Sequence, residues 1–314
     1  MSAATSSAKG RFAGLATKWK VAIGFGVYIA VVIAVYVIAP PVPPEEFEPV
    51  SEFELDPWIP LFLGPIDLSI NKAVFFVFLA CAITAGLMLY IAKRMQARPN
   101  NVQTAVEAAY DLTRNQVTLA NMDRRMGARW FPLIGTLFLF IITSNLLGYL
   151  PLPTNSGEPI LIAGYEIPPF GVYAATANIS VPLVLTLVVW LSYNIQGIIT
   201  KGFVGYFKSW IPAGTPDNVF AKAGLLLIET MSHFVRLISL SVRLFANLLA
   251  GHLLILFMAG GLAVILGIAA IGAITLPIAI AFFAFEVVLI AGLQAFIFAI
   301  LTAIYLGEAT AEEH

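Results

Sequence analysis

The chain has few charges, a single cysteine and no nucleotide or metal fingerprint. Only 11% of its 314 residues are charged, while 60% are hydrophobic. A soluble globular domain carries about a quarter charged residues, so that class is excluded. Cys81 stands in an apolar run, which rules out an intramolecular disulfide and a Cys-rich metal site. No P-loop, HExxH or CxxC pattern occurs, and no stretch is polar enough for a large soluble domain. Lysine and arginine are missing altogether from two segments, 40–69 and 151–177.

What is present is a series of apolar runs: 21–39, 70–92, 130–150, 178–200, 224–258 and 277–305. Their lengths suit membrane helices, so an all-α membrane protein with about six membrane helices is expected. The first run follows a basic start, with Lys9, Arg11, Lys18 and Lys20. Its length of about 19 residues exceeds a secretory signal core and no small-x-small site follows, so an uncleaved anchor is expected. Residues 40–67 form an acidic, Pro-rich linker in which the prolines forbid a regular helix. Residues 101–120 are amphipathic, with Val102, Val106, Ala109 and Leu112 on one side and Glu107, Asp111 and Arg114 on the other. That pattern predicts a helix lying on the cytoplasmic membrane surface.

Orientation follows from the basic residues. The N-terminus, 93–129 and 201–223 hold 4, 7 and 3 Lys/Arg, and the alternating loops hold none. By the positive-inside rule both termini are expected in the cytoplasm. The absence of an obvious transit peptide favours a bacterial plasma membrane over a mitochondrion.

The run 224–258 is abnormally long. As a helix it would measure roughly 52 Å against a hydrocarbon core of about 30 Å. It is therefore expected to tilt steeply and to form a long hairpin with 277–305. Gly260, Gly261, Gly267 and Gly272 suggest a loose connection between the two.

This long run also holds ionisable residues, each costing about 2.5–3.5 kcal/mol or more at membrane depth. Glu229, Arg236 and Arg243 fall on one stripe at about 100° per residue. Ser232, Ser239 and Asn247 lie on or beside it, and His252 points to the opposite side. Arg243 lies too deep to snorkel, and Glu229 is about 21 Å away along a helix, too far to pair with it. Arginine keeps its proton at any accessible pH, so Arg243 is a fixed positive charge. Arg236 reads equally as a second such charge or as a satisfied wall residue, and Glu229 and His233 read as a polar zone at the cytoplasmic end.

His252 and Glu286 form a second zone. If the chain re-enters between Gly260 and Pro277, the two reach similar depth, and Gln294 can share a face with Glu286. Asn145 and Asn178 read either as polar lining or, more plainly, as helix–helix hydrogen bonds. Two polar zones separated by a permanent positive charge do not make a cation pore. They suit a path in which a proton enters one zone, is carried by something else and leaves by the other.

The stretch SLSVRLFANLLAGHLL resembles the signature of subunit a of the F-type ATP synthase membrane sector. So do LQAFIFAILTAIYLGEA near the C-terminus and SNLLGYLP in the third run. The resemblance covers roughly 68–308. It implies two parts: residues 1–67, an N-terminal extension with one extra anchor helix and the acidic linker, and residues 68–314, a proton-channel domain similar to subunit a. It implies Arg243 as the essential arginine facing a ring of c subunits, with Asn247 beside it. Glu229 and Ser232, with His233 and Arg236 nearby, match the cytoplasmic half-channel; Gln294 and Asn145 match the outer one. His252 stands where many bacterial members have Glu. Glu286 stands near where they have His, one residue off in spacing to Gln294. The implied partners are the c ring, b-type peripheral stalk subunits, membrane lipid and the translocated H⁺, with Na⁺ left open. No cofactor, no metal, no nucleic acid and no catalytic residue is implied. The alternative class is a self-contained secondary transporter or ion channel with a midplane site at Arg243. An intramembrane enzyme lacks a credible nucleophile–base pair.

Overall fold

A computed structural model describes residues 55, 57–63, 66–67, 69–96, 98–150, 160–162, 165–167, 173–211, 215, 218–262 and 269–311. The apolar run at 21–39, the basic start, most of the acidic linker and much of 151–177 lie outside the described residues.

Among the described residues, five helical spans are long and apolar enough to cross a membrane. They are Lys72–Arg94, Arg124–Gly148, Ser180–Lys201, Val219–Ala259 and Ile274–Thr310. The chain is an all-α membrane protein. Within it, α1 is Lys72–Arg94, α2 Asn101–Asp111, α3 Arg124–Gly148, α4 Ser180–Lys201, α5 Phe203–Lys208, α6 Val219–Leu256, α7 Ala269–Phe285 and α8 Ala291–Thr310. Three small antiparallel ladders lie in the connections, pairing Pro57–Ile59 with Ile70–Asn71, Phe62–Leu63 with Ile66–Asp67, and Ile160–Ile162 with Tyr165–Ile167. None was expected, because pairs of two or three residues leave no readable period-2 pattern.

Local chemistry sets the helix ends. The Asn71 side chain accepts from Val74 N at 3.0 Å and the Asn100 side chain from Gln103 N at 2.8 Å. Asp123 caps α3 by accepting from Arg125 N at 3.1 Å. Gly202, at φ 75°, separates α4 from α5 in a conformation that a side chain would strain.

The chain divides into two compact units. The first comprises Ser51–His252 and Ala284–His314. Its centre is α8, on which Ala291, Ala295, Ala299 and Ala303 recur every fourth residue, each fully buried. Such a small-residue row lets neighbouring backbones approach closely. Gly307 continues it, and a Cβ there would collide with the Asn121 carbonyl. Ile134, Phe138 and Ile141 of α3, Val189 and Tyr193 of α4, and Leu240 and Leu244 of α6 complete this core with Phe298 and Leu306.

The amphipathic segment packs only partly as expected. After α2 it continues as a π-helical stretch, Leu112–Thr118, and one further turn, Leu119–Asn121. Of the expected apolar side, Val102 is exposed and Val106 half-buried, while Ala109 and Leu112 pack against the core. The buried side chains are Gln103, Thr113, Val117 and Thr118.

In the second unit the described residues fall within Leu253–Phe283. Gly260 and Gly261 belong to a π-helical turn, Phe257–Gly261, and Gly272 and Pro277 lie inside α7. The rest of the expected loose connection, 263–268 with Gly267, lies outside the described residues. In an apolar surrounding the helix is the conformation that satisfies most backbone groups, so it runs through residues that would end it in water.

Candidate functional site

Two polar clusters and one isolated arginine carry the ionisable residues of the long helix. All belong to the first unit.

The first cluster gathers around His233, which α6 turns inward. Its Nδ1 shares a 2.8 Å hydrogen bond with the Tyr193 hydroxyl from α4. Its ring is stacked on Trp210, with centroids 4.4 Å apart, and Nε2 lies 3.7 Å from Glu229 Oε1. Arg236, one turn further along α6, donates to Glu308 Oε2 at 2.7 Å and lies over the Tyr305 ring, 5.0 Å from its centroid. Arg236 is thus paired with a carboxylate and packed on a ring at the cavity wall. These side chains line a cavity of about 240 Å³ together with Lys201, Tyr206 and Ser209. Burial pushes the Tyr206 phenol above its ordinary range, so it remains a neutral donor. Ser232 is half-buried beside the cavity-lining residues of α6.

The second cluster forms where α6 passes the C-terminal end of α3. His252 Nε2 is 3.1 Å from the Gly148 carbonyl and Nδ1 is 2.9 Å from the Leu248 carbonyl. An imidazolium donates to both oxygens at once, a neutral ring to one. The Tyr149 ring stacks on the imidazole, centroids 4.5 Å apart at 25°. The Tyr149 hydroxyl donates to Glu286 Oε2 at 3.0 Å. Sequence reasoning expected His252 and Glu286 at similar depth, and the structure joins them through Tyr149.

Glu286 opens a π-helical turn, Glu286–Ile290, between α7 and α8. Such a turn takes up one extra residue without advancing the helix face. The eight residues to Gln294 then act as seven, so the two buried side chains fall within about 20° of one direction.

Asn145 is fully buried, donates to the Ala291 carbonyl at 3.3 Å and accepts from Thr176 Oγ1 at 2.7 Å. It ties α3 to α8, as the plainer reading expected. The Asn178 side chain accepts from Ser180 N at 2.9 Å, a local bond just before α4.

Arg243 stands apart from both clusters. It is ten residues past His233 and nine before His252, about 15 and 14 Å along the helix. Arg243 and Asn247 are exposed, and among the described residues neither has a hydrogen-bond or ion-pair partner. The expected single stripe is therefore divided. Glu229 and Arg236 line the cavity, while Arg243 and Asn247 are exposed, as are Ser239 and Ala246 on the same side of the helix.

A family model described as ATP synthase A chain matches residues 74–307, about three quarters of the chain. The chain belongs to that family. "ATP synthase subunit a" of Hyphomonas neptunium is 32% identical over 268 residues, 83% of this chain and 95% of that protein. Its counterpart in Rhizobium rhizogenes is 34% identical over 265 residues, 83% of this chain and 96% of that protein. The one in Rubrobacter xylanophilus is 34% identical over 248 residues, 79% and 87%. Both clusters and Arg243 lie inside the stretch matched to the ATP synthase A chain family, and the apolar run at 21–39 lies outside it.

Sequence reasoning missed Tyr149, Tyr193, Trp210, Thr176 and Glu308. Tyr149 lies within SNLLGYLP and Glu308 within LQAFIFAILTAIYLGEA, so the motifs were noticed but not these members. The available signal for Glu308 was a carboxylate at the end of an apolar run that could face an otherwise unpaired arginine.

Proposed function

We propose that this chain is the proton-translocating stator subunit of an F-type ATP synthase, with no chemical active site of its own. Protons enter through a path at His252, Glu286, Gln294 and Asn145, protonate a carboxylate on a rotating c ring, and leave through a path at Glu229, Ser232, His233 and Arg236. Arg243, with Asn247 beside it, faces the ring between the two paths. Its fixed charge keeps each passing carboxylate ionised and blocks a direct leak. The partners are the c ring, b-type peripheral stalk subunits and the surrounding lipid, in a bacterial plasma membrane with both termini cytoplasmic.

The observation that carries this reading is the exposure of Arg243. A charged side chain looking out of a helix in the membrane, with no partner among the described residues, calls for a partner chain to face it. A self-contained transporter needs the same charge enclosed by its own helices, and the exposure favours the stator reading over it.

The test is ATP-driven proton pumping, with and without Na⁺, and passive proton permeability in inverted vesicles carrying the whole complex. Arg243→Ala should assemble and fail to pump, because the passing carboxylate loses its counter-charge and stays protonated in the apolar interface. Arg243→Lys should largely fail too, since a buried lysine can lose its proton and lacks the guanidinium fork. Near-normal pumping by Arg243→Ala would remove the mechanism.

A further inference from the structure

The Glu286 carboxylate is buried, and among the described residues it has no ion-pair partner. Tyr149 is its hydrogen-bond donor. No direct hydrogen bond joins it to His252, whose two ring nitrogens face the Leu248 and Gly148 carbonyls. Tyr149 touches both: hydroxyl on the carboxylate, ring on the imidazole. Its place is tightly held. It follows α3 directly, is itself buried, and its backbone N–H bonds to the Leu146 carbonyl at 3.2 Å. The preceding Gly148 packs so close to Ala174 that a Cβ would collide with it. The titratable groups recorded around the carboxylate are Tyr149 from the end of α3 and His252 from α6. Asn145 and Thr176 nearby are neutral.

We propose that Tyr149 is a positioning residue for proton transfer at Glu286: its hydroxyl holds the carboxylate in place, and its ring ties that carboxylate to His252. This rests on the reading of His252 and Glu286 as one access path. A carboxylate removed from water needs hydrogen-bond donors, and here a phenol supplies one in place of a cation. Without that donor the carboxylate is free to turn away from His252.

The experiment compares the wild-type complex with Y149F, E286Q and Y149F/E286Q in inverted vesicles, recording pumping rate against pH and the amount of assembled complex. Y149F keeps the stacked ring and loses only the hydroxyl. Its pumping should fall about tenfold, the size expected for one hydrogen bond to a charged group, and its pH profile should change. The double variant should pump no more slowly than E286Q alone, because a residue acting through Glu286 has nothing left to act on. A wild-type profile in Y149F while E286Q is impaired, or losses that simply add, would overturn the proposal. Normal pumping by E286Q would overturn the access-path reading itself, and Tyr149's role with it. If Y149F does not assemble, a ring-fluorinated tyrosine at position 149 keeps shape and hydroxyl while donating more strongly. Its pumping rate and pH profile should then differ from wild type, and unchanged values overturn the proposal.

Discussion

Gly251 lies directly against the Glu286 carboxylate: a Cβ at position 251 would come 2.7 Å from Oε1 and closer still to Oε2. The bare backbone of α6 makes the space that the carboxylate occupies, one residue before His252. The atoms in the way are the far end of a flexible side chain, so a methyl group would push the carboxylate aside rather than unpack the helices. Gly251→Ala is therefore expected to assemble near wild-type levels while pumping falls and the pH profile changes, as in Y149F. Yield of purified complex and vesicle pumping measure the two separately. Unchanged pumping would mean that the carboxylate does not depend on this position.

Asn145 holds α3 to α8 through a fully buried pair of hydrogen bonds, to the Ala291 carbonyl and from Thr176. Asn145→Ala strands Thr176 Oγ1 without its acceptor. Leaving buried polar groups unpaired costs about 1–3 kcal/mol. The expected outcome is a lower thermal unfolding midpoint of the detergent-solubilised complex; an unchanged midpoint would show that water or another side chain takes over the bonds.

Glu308 and Arg236 pair at 2.7 Å with their side chains 54% and 28% exposed. Exposed pairs contribute about 0–1 kcal/mol, so Glu308→Gln should leave thermal stability nearly unchanged. It does leave Arg236 without its carboxylate partner on the cavity wall shared with Glu229 and His233. Slower pumping at normal complex yield is expected. Arg236→Ala should cost more stability, because it also removes the packing over Tyr305.

The span Val219–Ala259 has 41 residues. At 1.5 Å per residue it measures about 61 Å, against roughly 40–45 Å for a bilayer including its headgroups. To remain within the membrane it must tilt by about 45° or more, beyond the usual range. Electron cryomicroscopy of the complex in lipid nanodiscs measures this angle directly. A tilt within about 20° of the membrane normal would refute the argument.

The sequence by itself determined the class of the protein, the places of the five described spans to within a few residues, and the residues worth asking about. Hydropathy marks spans because every buried backbone group must be satisfied within its own helix. The 100° periodicity placed Arg243 away from His252, and the outlook of Arg243 into open space agrees with that. Periodicity states which residues share a face of one helix, but not which neighbour covers that face. Only the tertiary structure decided that the stripe divides, with Arg236 closed off by Glu308 and Arg243 left open. The Tyr149–Glu286 bond joins residues 137 positions apart, and nothing local in either segment encodes it. The π-helical turn at Glu286 was equally hidden, because a one-residue bulge changes no composition and shows only in which carbonyl each N–H reaches.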